Sequence, residues 1–307
     1  MNLNIKDPDY HYDATKIAEE YRKAKIAIAR ELARVDVTDL SKRQTKATFA
    51  RILVILEALN VAAEEWVTEN IPAAVYQGVA STLVVLGVAE TIAEARELVK
   101  LNPINKRMVD AIIADTFSDL LTVTQNMDRK TKAIYRQVLS EAMRSNYAQG
   151  INGVKTIKAE TISLLKQKLE GSANIGIIDA AGRKWRPETY VETVALEKMN
   201  QAYREATVNE AVQRGTLYGI ISSHNASDGC KFHEGRIVKL VPEAPGSYPT
   251  VDELRATNQI FHVRCKHQVL PIRNPEMLPQ AVRDKAERQE ATGRKAIAAG
   301  GRNPNIS

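Results

Sequence analysis

NIPAAVYQGVASTLVVLGVA, Asn70 to Ala89, is a run of 20 residues without a charge. Its reading decides the fold, because a run of that length is long enough to cross a bilayer. Pro72, Gln77, Gly78, Ser81, Thr82 and Gly87 dilute its apolar character, which argues against a membrane span. We read it as a buried helical hairpin, and the chain around it as one that packs in water.

The flanking sequence agrees with that reading. Upstream, Phe49, Ile52, Leu56, Leu59, Ala63 and Trp66 recur at alternating spacings of three and four, the pattern of a helix seam. Before that, Asp13 is placed to cap a helix carrying Ile17, Tyr21, Ala24, Ile28, Leu32 and Val35. Downstream, Thr91 with Glu94 reads as a capping box, and Asn102-Pro103 ends the short helix it opens. Met108, Ile112, Phe117, Leu120 and Leu121 mark another amphipathic run. Asp128 is then read as the cap of a further helix ending at Gly150, and Val154 to Glu170 as a last one stopped by Gly171.

Composition narrows the classes. Of 307 residues, 44% are hydrophobic and only 5% aromatic, so Ala, Ile, Leu and Val carry the apolar load. That favours packed helices over a β-sandwich, and 26% charged residues of both signs exclude wholesale disorder. Two cysteines cannot staple a chain of this size, so stability must come from burial. Met1 to Asp9 is polar and acidic, and no signal peptide is expected.

After residue 171 the texture changes. Ile175 to Ile178, then Gly182, then Arg183 to Trp185 read as a β-hairpin, and Pro187 opens an amphipathic helix halted by Gly215. Short strand-like pieces follow at Leu217–Ser222, Arg236–Leu240 and Gln268–Ile272, with a turn of helix capped by Thr250 and Glu253. The expected class is α+β. A mainly helical bundle spans 1–171, a small α+β module spans 172–275, and 276–307 forms a charged helix with a disordered tail.

One cluster carries chemistry. Six of the chain's seven His and Cys residues fall between 224 and 267: His224, Cys230, His233, His262, Cys265 and His267. Cys230-Lys-Phe-His233 and His262-Val-Arg-Cys265 have the form of two metal knuckles, and four N or S donors suit tetrahedral Zn2+. A metal would clamp a module whose long loop, 241–259, has little else to hold it. Two other readings share these residues: buried cysteines among ordinary histidines, or one disulfide, which a cytosolic chain would keep reduced. Catalytic signatures are missing. His233-Glu234 has no second His four residues after the first, and there is no Walker loop, GxGxxG, GxSxG or deaminase motif.

Charge is the second signal. The net charge is +6, and between Thr124 and Glu170 nine Lys or Arg stand against four acids. Arg129, Lys130, Lys132, Arg136, Lys155, Lys158, Lys166 and Lys168 are the candidate contacts to a phosphate backbone, sequence-independent and salt-sensitive. A solvated helix face, or a surface matched to an acidic protein, explains the same charges.

From Asn126-Met127-Asp128 onward the sequence resembles a known family. Gly150-Ile-Asn-Gly153, Asp179-Ala-Ala-Gly-Arg-Lys-Trp185, Tyr190, Ile221-Ser-Ser-His224, Cys230, Glu234-Gly235 and Cys265-Lys-His267 are together similar to the tailed-phage minor capsid proteins, kin of the phage Mu F-type head morphogenesis proteins. The likeness covers about residues 124–273 and departs where Arg264 replaces an expected Asn and His233 an expected Trp. Carried over position by position, it implies His224, Cys230, Cys265 and His267 as the metal set, whereas knuckle spacing promotes His233 and His262.

The resemblance also implies a role. The expected protein is a non-enzymatic, low-copy head component, made in the bacterial cytoplasm and placed inside the capsid near the portal. Its expected partners are the portal protein, the major capsid protein and double-stranded DNA, with assistance to genome ejection and no small-molecule substrate. The competing class is a metal-dependent nuclease or toxin-like enzyme acting through the His/Cys site.

Overall fold

The computed structural model describes residues 6–36, 41–148, 163, 167–168, 177–178 and 182–306. The expected helix from Val154 to Glu170 lies almost wholly outside the described residues. Among these the chain is α+β and mostly helical: α1 (His11–Ala33), α2 (Lys42–Val85), α3 (Ile92–Leu98), α4 (Pro103–Ala148), β1 (Ile177–Ile178), β2 (Lys184–Trp185), α5 (Pro187–Gln213), β3 (Tyr218–Ile221), β4 (Ile237–Lys239), α6 (Val251–Ala256), β5 (Val269–Ile272) and α7 (Gln280–Ala299). No helix of the described residues is long and apolar enough to cross a membrane.

Two sequence expectations are corrected here. Residues 70–85 do not form a hairpin but continue α2 straight through Pro72. Gly78 is a packing residue rather than a turn: a Cβ there would lie 2.5 Å from the Tyr203 carbonyl oxygen and 3.1 Å from Ala206 Cβ, so α2 and α5 touch backbone to backbone. The helix ends at Val85, and Gly87, whose φ is +70°, closes a Schellman turn with Val88 N–H donating to the Leu83 carbonyl at 2.8 Å. Asp128 likewise caps nothing. It sits inside α4 and pairs with Lys132, one turn on, at 2.7 Å.

The chain divides into two compact units, each assembled from separated segments. One comprises Met1–Tyr10, Glu69–Ile113 and Leu196–Ser307; the other comprises His11–Thr68 and Ala114–Ala195. In the second, Ile17, Tyr21, Ala24, Ile28 and Leu32 are buried, as are Ile52, Leu56, Leu59, Ala63 and Trp66, so the three-and-four seams face inward as their spacing predicts. Tyr21 Oη donates to the Leu120 carbonyl at 2.8 Å with Thr124 Oγ1 at 3.2 Å, and burial pushes its phenol pKa well up. Tyr21→Phe is expected to destabilise this unit by about 1 kcal/mol in urea unfolding.

In the first unit a three-stranded antiparallel sheet runs in the order β4-β3-β5, with Ile220 opposite Ile237 and Leu270. Alternation gives it two buried faces. Ile220, Ile237 and Leu270 join Val85, Leu278 and Ala286 on one; Ile221, Val238 and Val269 join Leu254, Ile260, Phe261, Cys230 and Cys265 on the other. Both cysteines therefore start from a hydrophobic core position. The two arms of the expected hairpin pair antiparallel, with Ile177 opposite Trp185.

Candidate metal centre

The loops that follow β3 and precede β5 meet over that second face. Asp228 caps a single 3-10 turn, Gly229–Phe232, by accepting from Cys230 N–H at 3.2 Å, and this turn presents the Cys230 thiol. The opposing knuckle, His262 to Cys265, is bent by Phe261 and Arg264, both left-handed at φ 56° and 67°. Such backbone is strained for a residue with a side chain and persists only where the surroundings hold it. Here Cys265 N–H donates to the His262 carbonyl at 2.9 Å, and the Arg204 guanidinium lies 5.9 Å from the Phe261 ring centroid.

The result is a buried group of two sulfurs and one imidazole. Cys230 Sγ is 3.8 Å from Cys265 Sγ and 3.1 Å from His262 Nε2. Both cysteines are unoxidised. The contact between the two sulfurs, with burial and His267 alongside, pulls their pKa values apart, that of Cys265 down and that of Cys230 up. The donor set tests well against a metal. Two thiolates on tetrahedral zinc at ~2.3 Å would be separated by about 3.8 Å. The Nδ1 of His262 lies 2.9 Å from the Val263 carbonyl and 3.2 Å from the Arg302 guanidinium, and its Nε2 faces both Cys230 Sγ at 3.1 Å and Asp228 Oδ2 at 3.2 Å.

A second group adjoins the first. His224, Glu234 and His267 bring one donor atom each within 4.8 Å of one another. The His224 and His267 rings stack with centroids 4.0 Å apart. His267 stands between the groups, its Nδ1 3.4 Å from Cys265 Sγ and its Nε2 3.1 Å from Glu234 Oε1. Burial opposes charge on His267, but the Cys265 sulfur and Glu234 outweigh it and raise its pKa. The same Glu234 oxygen accepts from His224 N–H at 3.0 Å and Ala226 N–H at 2.9 Å, so these donors overcome burial and hold its carboxyl below the usual range.

The six sequence candidates thus separate. Cys230, Cys265 and His262 converge; His224 and His267 pair beside them; His233 is directed elsewhere. Its Nδ1 accepts from Arg236 and its Nε2 donates to Gln259 Oε1, both at 2.9 Å, and burial with Arg236 alongside pushes its pKa down to about 4. His233 is a satisfied core histidine that steadies Arg236, itself paired with Glu290 of α7 at 2.8 Å.

Contacts from both ends of the chain had no sequence signal. Asp7 accepts from Ser222 Oγ at 3.2 Å and lies 3.8 Å from His224 Nδ1. The end expected to be disordered is ordered at the cluster instead: Asn303 Oδ1 accepts from Gly229 N–H at 2.9 Å, Gly301 O from Gln259 Nε2 at 3.0 Å, and the Arg302 guanidinium reaches His262 Nδ1 at 3.2 Å.

Comparison with known proteins settles the family. The family described as Phage minor capsid protein 2 matches residues 41–297. The chain belongs to the phage minor capsid protein 2 family. This makes it a structural protein of a phage virion. No curated protein and no solved structure matches the chain.

The basic residues of this minor capsid protein divide as well. Arg129 and Arg136 are exposed on α4. Lys132 pairs with Asp128, and Lys168 with Glu141 at 2.9 Å. Lys130 turns inward: among the described residues its buried Nζ has no hydrogen-bond partner, and burial together with Arg129 and Lys184 lowers its pKa. Lys155, Lys158 and Lys166 lie outside the described residues.

Proposed function

We propose that this chain is a non-enzymatic head component whose C-terminal module is clamped by zinc, held by Cys230, Cys265, His262 and His267. The observation that carries this reading is the buried pair of sulfurs 3.8 Å apart with an imidazole nitrogen beside them. His267 offers Nδ1 as the fourth donor while Glu234 receives its Nε2–H, the carboxylate–histidine relation that orients many zinc ligands. Zinc would supply a cross-link between two loops, and the His224 side chain would stay outside the ligand set.

The nuclease alternative is weaker at the same place. A hydrolytic ion needs a free carboxylate as base. Glu234 is already engaged by two backbone N–H groups and His267, and Asp228 is engaged in capping. Purified protein should carry one zinc per chain and leave supercoiled plasmid intact. Nicking that disappears in a folded His267→Ala variant would establish the enzyme instead.

Within the virion we place the protein inside the head at the portal, touching packaged double-stranded DNA through Arg129, Lys132, Arg136, Lys155, Lys158, Lys166 and Lys168, with Lys130 behind that face. Contact with the portal and major capsid proteins and assistance to ejection complete the reading. Replacing Lys155, Lys158, Lys166 and Lys168 with Gln should reduce the slope of log affinity against log salt by about 3 to 4. An unchanged slope removes this segment from the DNA face. Mass spectrometry of purified virions tests the placement, and absence of the protein there would end it.

A further inference from the structure

Helix α2 carries two apolar stripes, and only one is buried. Ile52, Leu56, Leu59 and Ala63 face the core, whereas Leu53, Val54 and Val61 are 50%, 64% and 54% exposed. Ala47, Ala50 and Ala58 are exposed with them. Positions 47, 50, 54, 58 and 61 follow one another at three and four, so the exposed residues form a continuous seam along about four turns of helix. A seam of that spacing is the usual surface by which one helix receives another.

The charges along it say which helix. Lys42, Arg43 and Lys46 lie at the N-terminal end of the seam and Glu57, Glu64 and Glu65 toward its C-terminal end, all exposed. A parallel copy would set like charges together. An antiparallel copy turned about a twofold axis through Val54 does the opposite. Arg43 and Glu65 stand eleven residues on either side of Val54, Ala47 and Val61 seven, and Ala50 and Ala58 four. Each residue therefore meets its complement from the other copy, and the surface is complementary to itself, as a twofold interface requires.

We propose that the exposed face of α2, from Arg43 to Glu65, is a self-association surface that pairs with the same face of a second copy in antiparallel register. Alanines flanking Val54 allow close approach, Val54 meets its own equivalent, and Leu53 and Val61 widen the apolar strip. Arg43 and Glu65 fix the direction at both ends.

The test uses the full chain in sedimentation equilibrium. Wild type should form a concentration-dependent dimer. Arg43→Glu and Glu65→Arg should each weaken it by about tenfold, because every dimer contains the pair twice. The double variant R43E/E65R should recover wild-type association, and Val54→Asp should abolish it with the circular dichroism spectrum unchanged. A bismaleimide should join Val54→Cys chains to one another; Cys230 and Cys265 are buried. Arg43→Cys should be joined to Glu65→Cys but not to itself. A folded chain that remains monomeric, or a double variant that fails to recover, overturns the proposal. Binding of another virion protein that Val54→Asp abolishes, without self-association, assigns the face to that partner and overturns it equally.

Discussion

Chelation of the purified protein at neutral pH is expected to lower the melting transition of the unit that holds Cys230 and Cys265 by about 10 °C. A site saturated at ~1,000 times its dissociation constant stabilises the fold by about 4 kcal/mol, and in a unit of this size each kcal/mol corresponds to roughly 2–4 °C. Readdition of zinc should restore the transition. Cys265→Ser should already melt at the lower temperature and should not respond to chelator. His224→Ala should keep the full response, because its ring stacks on His267 instead of facing the sulfurs. Glu234→Gln should weaken zinc affinity by about 10- to 100-fold while leaving a folded protein. Calorimetry and a zinc-competition titration measure all four. An identical melt with and without chelator would remove the metal, leaving the cysteines as core residues.

The second large effect concerns a position remote from the cluster. Gly78→Val is expected to destabilise the same unit by about 3 kcal/mol. The α2–α5 contact leaves no room for a side chain: the Tyr203 carbonyl would be 2.5 Å and Thr207 Oγ1 3.3 Å from the first added carbon. Backbone cannot rotate aside as a side chain can, so the helices must separate, and Thr82 and Thr207, whose hydroxyls reach the Gly78 carbonyl at 2.9 and 3.4 Å, would be displaced with them. Gly78→Ala should cost less, because the better helix propensity of alanine offsets about 1 kcal/mol of the strain. Urea unfolding followed by far-UV circular dichroism provides the measurement. A Val variant within ~0.5 kcal/mol of wild type would show that the contact yields.

These positions also show why parts of the molecule were legible in the sequence and parts were not. Ile52 to Trp66 and Ile17 to Leu32 could be read because burial imposes the helical period on the residues themselves. The strands around Ile220, Val238 and Leu270, the Thr250 cap and the helix start at Pro187 were legible for similarly local reasons. Residues 70–85 misled because a proline and a glycine resemble a turn, while the property that holds Gly78 in a helix belongs to Tyr203, more than 120 residues later. Asp128 misled in the same way: an acid before an amphipathic run suits a helix start and an internal Asp–Lys pair equally well. The outer stripe of α2 passed unread because one seam accounts for a helix in a globular unit, and nothing in the sequence announces that a second one faces water.

The candidate metal centre was half legible. Density of His and Cys located it, but the choice among six candidates turns on ring orientation. Val263 and Glu234 set the rings of His262 and His267, and Gln259 and Arg236 engage His233; none of these partners stands out by residue type. Family likeness favoured His224 over His262, whereas the fold brings His262 to the sulfurs.

Asp7 and Asn303 both reach the loops that carry the thiols, so those loops are bracketed by residues nearly three hundred positions apart. Cobalt offered in place of the proposed zinc would then do more than report occupancy. Its thiolate charge-transfer absorption would serve as an optical gauge of whether the two extremities have come together, letting refolding be followed at one wavelength without an added fluorophore.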